Sequence, residues 1–156
     1  MNYIGQAFQF LRDHNEGVLA TVADGKPQTR VFQVMRAEGT TLFFATSAKK
    51  AVYGQLRANP NVEFLVLHEG VSVRCAGSVS FDVPEPTQRW IYDNNPVLPR
   101  LYSSYGQLVY FRLPVVHLEY FDLNPTPPIA AHLNLLDGTM HEGFRGEKYS
   151  YQNRKQ

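Results

Sequence analysis

The sequence predicts a mainly β (α+β) domain in which antiparallel strands form a closed or nearly closed barrel, with one helix crossing between strands and other helices outside. The first observation is a series of short apolar runs joined by tight turns that end in glycine, of which Asp24-Gly25 is a strong hairpin signal. The second is a nearly strict alternation of apolar and polar residues over residues 71–82, typical of a half-buried strand. The third is a helical pattern over residues 48–58, between two of the strands.

The composition is that of an ordinary globular domain. The chain has 156 residues, a common size for one domain, with 44% apolar and 19% charged residues. Its formal net charge is +1 and it has no block of like charge, which argues against nucleic acid or an anionic membrane as the main partner. No stretch approaches the ~20 apolar residues of a membrane span, and no signal-peptide pattern is visible, so we expect a cytoplasmic protein.

The single cysteine, Cys75, excludes an intramolecular disulfide and a paired-cysteine metal motif. It occupies an apolar position of the alternating run, which predicts a small buried hydrophobic residue.

The first half of the chain reads as a helix followed by strands. Ile4, Ala7, Phe8 and Leu11 are three or four residues apart, which predicts one face of a short amphipathic helix that ends before Gly17. The strands that follow are predicted at residues 17–23, 28–37, 40–46, 61–67 and 71–82. The segment 48–58, which Asn59-Pro60 ends, is predicted as a helix of about three turns.

The second half begins with proline-rich helical segments. Pro86 suits the first turn of a helix, and residues 89–93 are predicted to be helical. The later elements are predicted strands at 107–113 and 115–123, an extended linker at 124–128, a hairpin with arms at 133–136 and 139–140, and a polar, frayed end at 147–156.

Two lysines lie where the crossing helix is predicted to begin. Thr46 or Ser47 is a suitable N-cap, which places Lys49 and Lys50 in the first turn without an acidic residue nearby. A helix N-terminus carries partial positive charge, so two lysines are unfavourable there unless an anion binds. Their placement leaves two interpretations open, solvated surface lysines and a phosphate site.

The second strand carries two further candidates. Arg30 lies in mid-strand on the same strand face as Phe32, and arginine is the usual residue for bidentate recognition of phosphate. The alternative is a surface arginine that pairs with a neighbouring acid. Gln33 is either a polar residue on the wet face of the barrel or a ligand contact.

Several short motifs follow one another in a specific order. They are Val18-Leu19-Ala20-Thr21-Val22, Asp24-Gly25, Pro27, Arg30-Val31-Phe32-Gln33, Phe43-Phe44-Ala45-Thr46-Ser47, Lys50, Tyr53, Gln55, Leu56 and Asn59-Pro60-Asn61-Val62. This ordered set resembles the pyridoxamine 5'-phosphate oxidase-like FMN-binding split β-barrel superfamily. The resemblance covers roughly residues 6–123 and refines the predicted fold to an antiparallel split β-barrel with a crossing helix and peripheral helices.

The resemblance implies an FMN site in a homodimer. In the family, the strand-two arginine and the basic residues after strand three bind the FMN phosphate, roles that fall on Arg30, Lys49 and Lys50. The flavin of the family lies in a cleft between two subunits. The resemblance therefore implies an FMN-binding domain at residues 1–128 and a C-terminal extension at 129–156 that packs on the barrel or on the partner subunit.

The resemblance also assigns contacts to the rest of the flavin. Val31, Phe32 and Gln33 match the strand that lines the isoalloxazine ring, and Thr46 matches a residue at the ring and ribityl side. Ser72 matches the position of a flavin-contacting glutamine in related oxidases.

The chain departs from true pyridoxamine phosphate oxidases at their substrate site. Met35 stands where those enzymes have a basic residue, and Arg89-Trp90-Ile91-Tyr92-Asp93 replaces their cluster for the substrate phosphate. The resemblance is closer to short flavin reductase and nitroimidazole-resistance-like members. It predicts an FMN-dependent oxidoreductase that acts on another small molecule, with no catalytic residue identifiable and no Gly-x-Gly-x-x-Gly run for a nicotinamide.

Other residues leave a different function open. Some split-barrel relatives bind haem through a C-terminal histidine, and His132 and His141 flank the last predicted hairpin. The alternative function is therefore a non-catalytic flavin- or haem-binding protein that stores or senses its ligand. No acidic residue stands at metal-ligand spacing to these histidines, so we predict no metal site. Trp90 and Tyr92 are interpreted as packing residues, with capping of a ligand as the alternative.

Overall fold

The structure, a computed structural model, describes residues 2–143. The helices are α1 Tyr3–Asp13, α2 Ala51–Ala58, α3 Glu85–Asn94 and α4 Val97–Leu101. The strands are β1 Glu16–Ala23, β2 Lys26–Gln33, β3 Arg36–Glu38, β4 Thr41–Thr46, β5 Asn61–His68, β6 Val71–Ser78, β7 Val109–Pro114, β8 His117–Asp122, β9 Ile129–Asn134 and β10 Met140–Glu142.

The strands form two antiparallel sheets. The larger has seven strands in the order β10-β9-β8-β6-β5-β1-β2, and the smaller has three in the order β3-β4-β7. Both sheets, α1 and α2 contribute buried residues to one core, at whose centre Phe44, Phe64 and Phe111 are fully buried. The Phe44 ring lies 5.0 Å from Phe64 and 5.2 Å from Phe111 between centroids. The predicted antiparallel barrel with crossing and peripheral helices is therefore confirmed.

Helix α1 packs on the core much as its periodicity predicts. Asn2 caps it by accepting a hydrogen bond from the Gly5 N–H at 2.9 Å. Ala7, Phe8 and Leu11 are buried, but Tyr3 takes the place predicted for Ile4, which is exposed.

The predicted strand 28–37 divides in two because the chain passes from the larger sheet to the smaller one. Between β2 and β3, the Val34 N–H donates to the Asn15 carbonyl at 2.7 Å, and the Met35 N–H donates to the Phe43 carbonyl at 2.9 Å. These bonds hold the crossing point, so strand pairing resumes only at Arg36.

Helix α2 is shorter than predicted and begins later. Lys50 is its N-cap, with extended backbone and no capping side chain, so the predicted caps Thr46 and Ser47 are wrong. The Ser47 hydroxyl accepts from the Lys49 N–H at 3.2 Å, and the Ser47 carbonyl accepts from the Lys50 N–H at 3.0 Å. This local turn competes with the helix, and it places Lys49 and Lys50 before the first helical turn.

The second half of the chain follows the predicted order. Helices α3 and α4 cover the outer side of the smaller sheet through a second apolar cluster that includes Ile91 and Leu98. Strand β9 pairs with β8 and β10 pairs with β9, so residues 129–142 extend the larger sheet. The proposed division at residue 128 stays a prediction, and the predicted frayed end at 147–156 lies outside the described residues. No helix within residues 2–143 has the length and apolar character needed to cross a membrane.

Candidate functional site

Arg30 lies on the edge strand β2 and reaches across β1 to helix α2. Its Nη1 donates to the Thr21 hydroxyl at 2.7 Å, and its Nη2 donates to Oε1 of Gln55 at 2.5 Å. The Thr21 hydroxyl donates in turn to the same Gln55 oxygen at 2.7 Å. Longer bonds run from Nη1 to the carbonyls of Leu19 and Gln28, at 3.3 and 3.4 Å.

The charge of Arg30 has no acidic partner within residues 2–143. All four of its hydrogen-bond acceptors are neutral oxygens, and the ion pairs of this part of the chain involve other basic residues. Burial lowers the pKa of Arg30, because desolvation disfavours the charged form. The guanidinium nevertheless stays charged at neutral pH, so it is a half-buried positive charge that an anion would compensate.

The turn before α2 carries two exposed cations. Lys49 and Lys50 are exposed, and the first turn of α2 contains no acidic residue. Because Gln55 is on α2, the hydrogen bond from Arg30 fixes this helix against β1 and β2. Arg30 is thus linked to α2, and the two lysines lie in the turn that directly precedes this helix.

Thr46 ends β4 just before this turn and has a property that the sequence does not reveal. It is 2% exposed, and its hydroxyl has no hydrogen-bond partner within the described residues. A buried hydroxyl without a partner costs about 1–3 kcal/mol. An orphaned polar atom of this kind, next to uncompensated cations, fits a site that a polar ligand completes.

Strand β2 is an edge strand of the larger sheet. It pairs with β1 along its length and, within the described residues, its other edge has no partner strand. The Phe32 ring packs against Phe44 and Phe111 at 5.9 and 5.7 Å between centroids, so its main contribution to an edge site is its backbone. Val31 lies on the opposite face and is 71% exposed, and Gln33 shares that face.

Ser72 lies far from the other predicted flavin contacts. It is on β6, which is separated from β2 by β5 and β1. Neighbouring strands are about 4.8 Å apart, so Ser72 and β2 are about 14 Å apart within one chain. The structure therefore does not bring Ser72 next to the other predicted flavin contacts of the same chain.

Thr21 and Gln55 are the two site residues that the sequence reasoning missed. The sequence does carry a signal for Thr21. It is a polar residue on the same face of β1 as Gly17 and Leu19, and this face is buried. Gln55 lies beside the buried Leu56 on α2, and only the packing of the helix on β1 shows its role.

The outer face of the larger sheet carries exposed apolar residues. Val31 and Leu67 are 71% and 70% exposed, and Val18, Val22 and Leu65 on the same face are about two-fifths exposed. We call these five residues the apolar outer face. Exposed apolar surface of this extent on one face is characteristic of an interaction surface.

A groove of about 660 Å³ adjoins the apolar outer face, and a cavity of about 360 Å³ shares Glu63, Ala76 and His117 with it. The cavity is also lined by His132 and His141, on neighbouring strands with ring centroids 6.3 Å apart. The residues that the structure describes contain no group of three or more side chains able to hold a metal ion.

Cys75 is fully buried, as predicted, and its burial raises the pKa of the thiol to about 12. Tyr92 is half-buried and donates to the Tyr102 carbonyl at 2.6 Å, which agrees with a packing role. Trp90 is 43% exposed, and the Arg36 guanidinium lies 4.7 Å above its ring.

Comparison with known proteins defines the class of this fold. The family model described as pyridoxamine 5'-phosphate oxidase matches residues 5–94, more than half of the chain, so the chain belongs to this family. No curated protein matches it significantly.

Solved structures show the same split-barrel fold at low identity. A pyridoxamine 5'-phosphate oxidase-related, FMN-binding protein from Nostoc punctiforme is 16% identical with a TM-score of 0.72, over 91% of this chain and 96% of that one. A NimC/NimA family protein from Clostridium acetobutylicum is 20% identical with a TM-score of 0.63, over 89% and 92%. A haem-binding protein from Mycobacterium smegmatis is 16% identical with a TM-score of 0.62, over 74% of this chain and 52% of that one.

Proposed function

We propose that the protein binds FMN at the β2 edge and works as a flavin-dependent oxidoreductase on a small molecule. The observation that carries this proposal is Arg30, a half-buried cation whose acceptors within the described residues are all neutral. A phosphate would compensate that charge, and charge-assisted hydrogen bonds to phosphate are among the strongest in proteins. Membership of the pyridoxamine 5'-phosphate oxidase family supports flavin as the molecule that carries the phosphate.

The residues present fit FMN along its length. Arg30, Lys49 and Lys50 would hold the phosphate, and the orphaned hydroxyl of Thr46 would bind the ribityl or ring side. Arg30 and Gln33 are about 10 Å apart along β2 and on opposite faces of it, so a flavin that contacts both would lie along the free edge of the strand. The free edge of β2 offers backbone N–H groups to the ring, and Gln33 offers a side-chain amide. When bound, the flavin supplies the oxidation–reduction chemistry, and the protein supplies position and electrostatics.

We propose that the working form is a homodimer that closes the flavin site. The apolar outer face is the contact surface, and its occupant is a second copy of this chain. The separation of Ser72 from β2 within one chain agrees with this arrangement, in which the partner chain would supply its Ser72 to the flavin. The substrate remains a small molecule other than pyridoxamine phosphate, because Met35 stands where those oxidases have a basic residue.

The proposed dimer is tested by molar mass. Light scattering should give twice the chain mass, and Leu67→Asp should reduce it to the chain mass while weakening FMN binding, because a carboxylate in an apolar interface is costly. Leu101→Asp is the matched control, since Leu101 is 62% exposed on α4, outside the apolar outer face. A wild-type protein of single-chain mass would contradict the dimer.

The visible spectrum of the purified protein, before and after titration with FMN, tests the cofactor. A flavin spectrum, or saturable binding of one FMN per chain, is expected, followed by reduction of the bound flavin by a nicotinamide donor and turnover of an acceptor. Tight binding without turnover would support a storage or sensor role instead. No chromophore and no FMN binding would overturn the proposed function.

Haem is the second candidate ligand. It is favoured by His132 and His141, which lie opposite each other on β9 and β10 and line the cavity of about 360 Å³. A haem spectrum in the purified protein, lost in His141→Ala, would replace the flavin proposal by this one.

A further inference from the structure

Gln55 holds Arg30 with an oxygen that carries no charge. Its Oε1 accepts from Nη2 of Arg30 at 2.5 Å and from the Thr21 hydroxyl at 2.7 Å. Thr21 is 1% exposed, so its hydroxyl depends on these protein partners rather than on water. One carbonyl oxygen therefore fixes the positions of both the guanidinium and the hydroxyl.

Three other arginines of the described residues are held by carboxylates, whereas Arg57 and Arg112 donate to a tyrosine hydroxyl and a backbone carbonyl. Arg74 pairs with the carboxylates of Glu119 and Glu63, Arg36 pairs with Glu38, and Arg89 pairs with Glu85. Each of these pairs compensates the arginine charge within the protein. Arg30 alone among these six arginines is placed by a side-chain amide, which orients the guanidinium and leaves its charge in place.

We propose that Gln55 is a specificity-determining residue that makes the site select phosphorylated over unphosphorylated flavin. As a neutral acceptor it positions Arg30 without neutralising it, so the full positive charge acts on the phosphate. Gln55 is itself a positioning residue that acts through Arg30. This inference rests on the proposed FMN site.

Replacing Gln55 by glutamate tests the positioning of Arg30 and the charge of the site separately. Glutamate has nearly the shape of glutamine and keeps an oxygen for Arg30 and Thr21, so the link between α2 and the sheet is retained. Its negative charge would pair with Arg30, which strengthens the hydrogen bond and removes the net charge from the site. Stability and phosphate selectivity should therefore change in opposite directions.

The experiment compares the dissociation constants of FMN and riboflavin for the full chain, measured by quenching of flavin fluorescence, together with the melting temperature without flavin. The wild type should bind FMN more tightly than riboflavin. Gln55→Glu should weaken FMN about tenfold or more and riboflavin less than about twofold, with an unchanged or higher melting temperature. Gln6→Glu, the same change at an exposed position of α1, should leave both constants unchanged and controls for net charge.

Gln55→Leu removes the acceptor but leaves the charge of Arg30. It should lower the melting temperature and reduce the preference for FMN less than Gln55→Glu does. A larger loss of preference in Gln55→Leu, equal weakening of both ligands, or an intact preference in Gln55→Glu would each overturn the role of Gln55. If the wild type itself binds FMN no better than riboflavin, the phosphate site proposed above fails, and the inference fails with it.

Discussion

Arg30 and Arg74 lie in the same seven-stranded sheet, on β2 and β6, and differ in the groups that accept their hydrogen bonds. Arg74 contacts the carboxylate of Glu119, which also pairs with Nδ1 of His132 at 3.2 Å, and its Nη1 lies 3.9 Å from Glu63. Arg30 contacts a hydroxyl, an amide oxygen and two carbonyls. Both side chains are partly exposed, so exposure does not separate them. The charge of the partners does: the charge of Arg74 is compensated within the protein, and that of Arg30 is left for the phosphate of the proposed FMN site.

The largest expected difference is in FMN affinity after removal of each arginine. Arg30→Ala should weaken FMN by about 1.5–3 kcal/mol, because it removes a charge-assisted contact to the phosphate, and should affect riboflavin little. Arg74→Ala should leave FMN affinity unchanged and lower the free energy of unfolding by about 1 kcal/mol or less, since its ion pairs are partly exposed. Titration of both flavins and chemical denaturation measure the two quantities.

Equal weakening of FMN and riboflavin by Arg30→Ala would show that Arg30 holds the fold or the ring rather than the phosphate. A loss of FMN affinity in Arg74→Ala as large as that in Arg30→Ala would remove the distinction between the two arginines.

The two buried threonines, Thr21 and Thr46, extend the comparison from charge to hydrogen bonding. The Thr21 hydroxyl has partners and that of Thr46 has none within the described residues. Thr46→Val should raise the free energy of unfolding without flavin by about 1 kcal/mol and weaken flavin binding, because it removes an orphaned polar atom that the ligand would satisfy.

Thr21→Val is the matched change and should lower the free energy of unfolding by about 1–2 kcal/mol, since it breaks bonds to Arg30 and Gln55. Denaturation of both variants without flavin gives the signs. A Thr46→Val variant that is destabilised would mean that the hydroxyl already has a partner in solution.

Local features of the sequence account for most of the fold. Asp24 and Gly25 have φ values of 53° and 74°, the left-handed turn that this pair favours. The alternation over residues 71–82 correctly predicts the buried positions Val73 and Cys75, although β6 ends at Ser78. The break between β2 and β3 could not be predicted in this way. It depends on hydrogen bonds to Asn15 and Phe43, which are distant along the chain.

The candidate site likewise combines features that the local sequence predicts with features that depend on distant contacts. Arg30 stands out in the sequence as a mid-strand arginine, whereas its meeting with Gln55 depends on how α2 packs against β1. The late start of α2 has a local cause, the turn made by Ser47, but serine is also a good N-cap and the sequence pattern does not separate the two uses. The roles of Val31, Gln33 and Ser72 toward a flavin remain predictions, since in the proposed dimer they would depend on contacts with a second chain.

The smallest expected effect concerns Cys75, the inward-facing neighbour of Arg74 on β6. Its thiol ionises near the ordinary value of 9.0 in the unfolded chain, whereas burial raises its pKa to about 12 in the folded protein. Deprotonation of the thiol therefore favours the unfolded chain. The stability that comes from burying the protonated thiol is complete below pH 9 and is lost as the pH rises toward 12. The free energy of unfolding of the wild type, relative to Cys75→Ala, should fall by about 1 kcal/mol between pH 9 and 10. Because the difference is taken between the two proteins, ionisation of tyrosines cancels, and a difference that is independent of pH would mean that the thiol reaches water in the folded state.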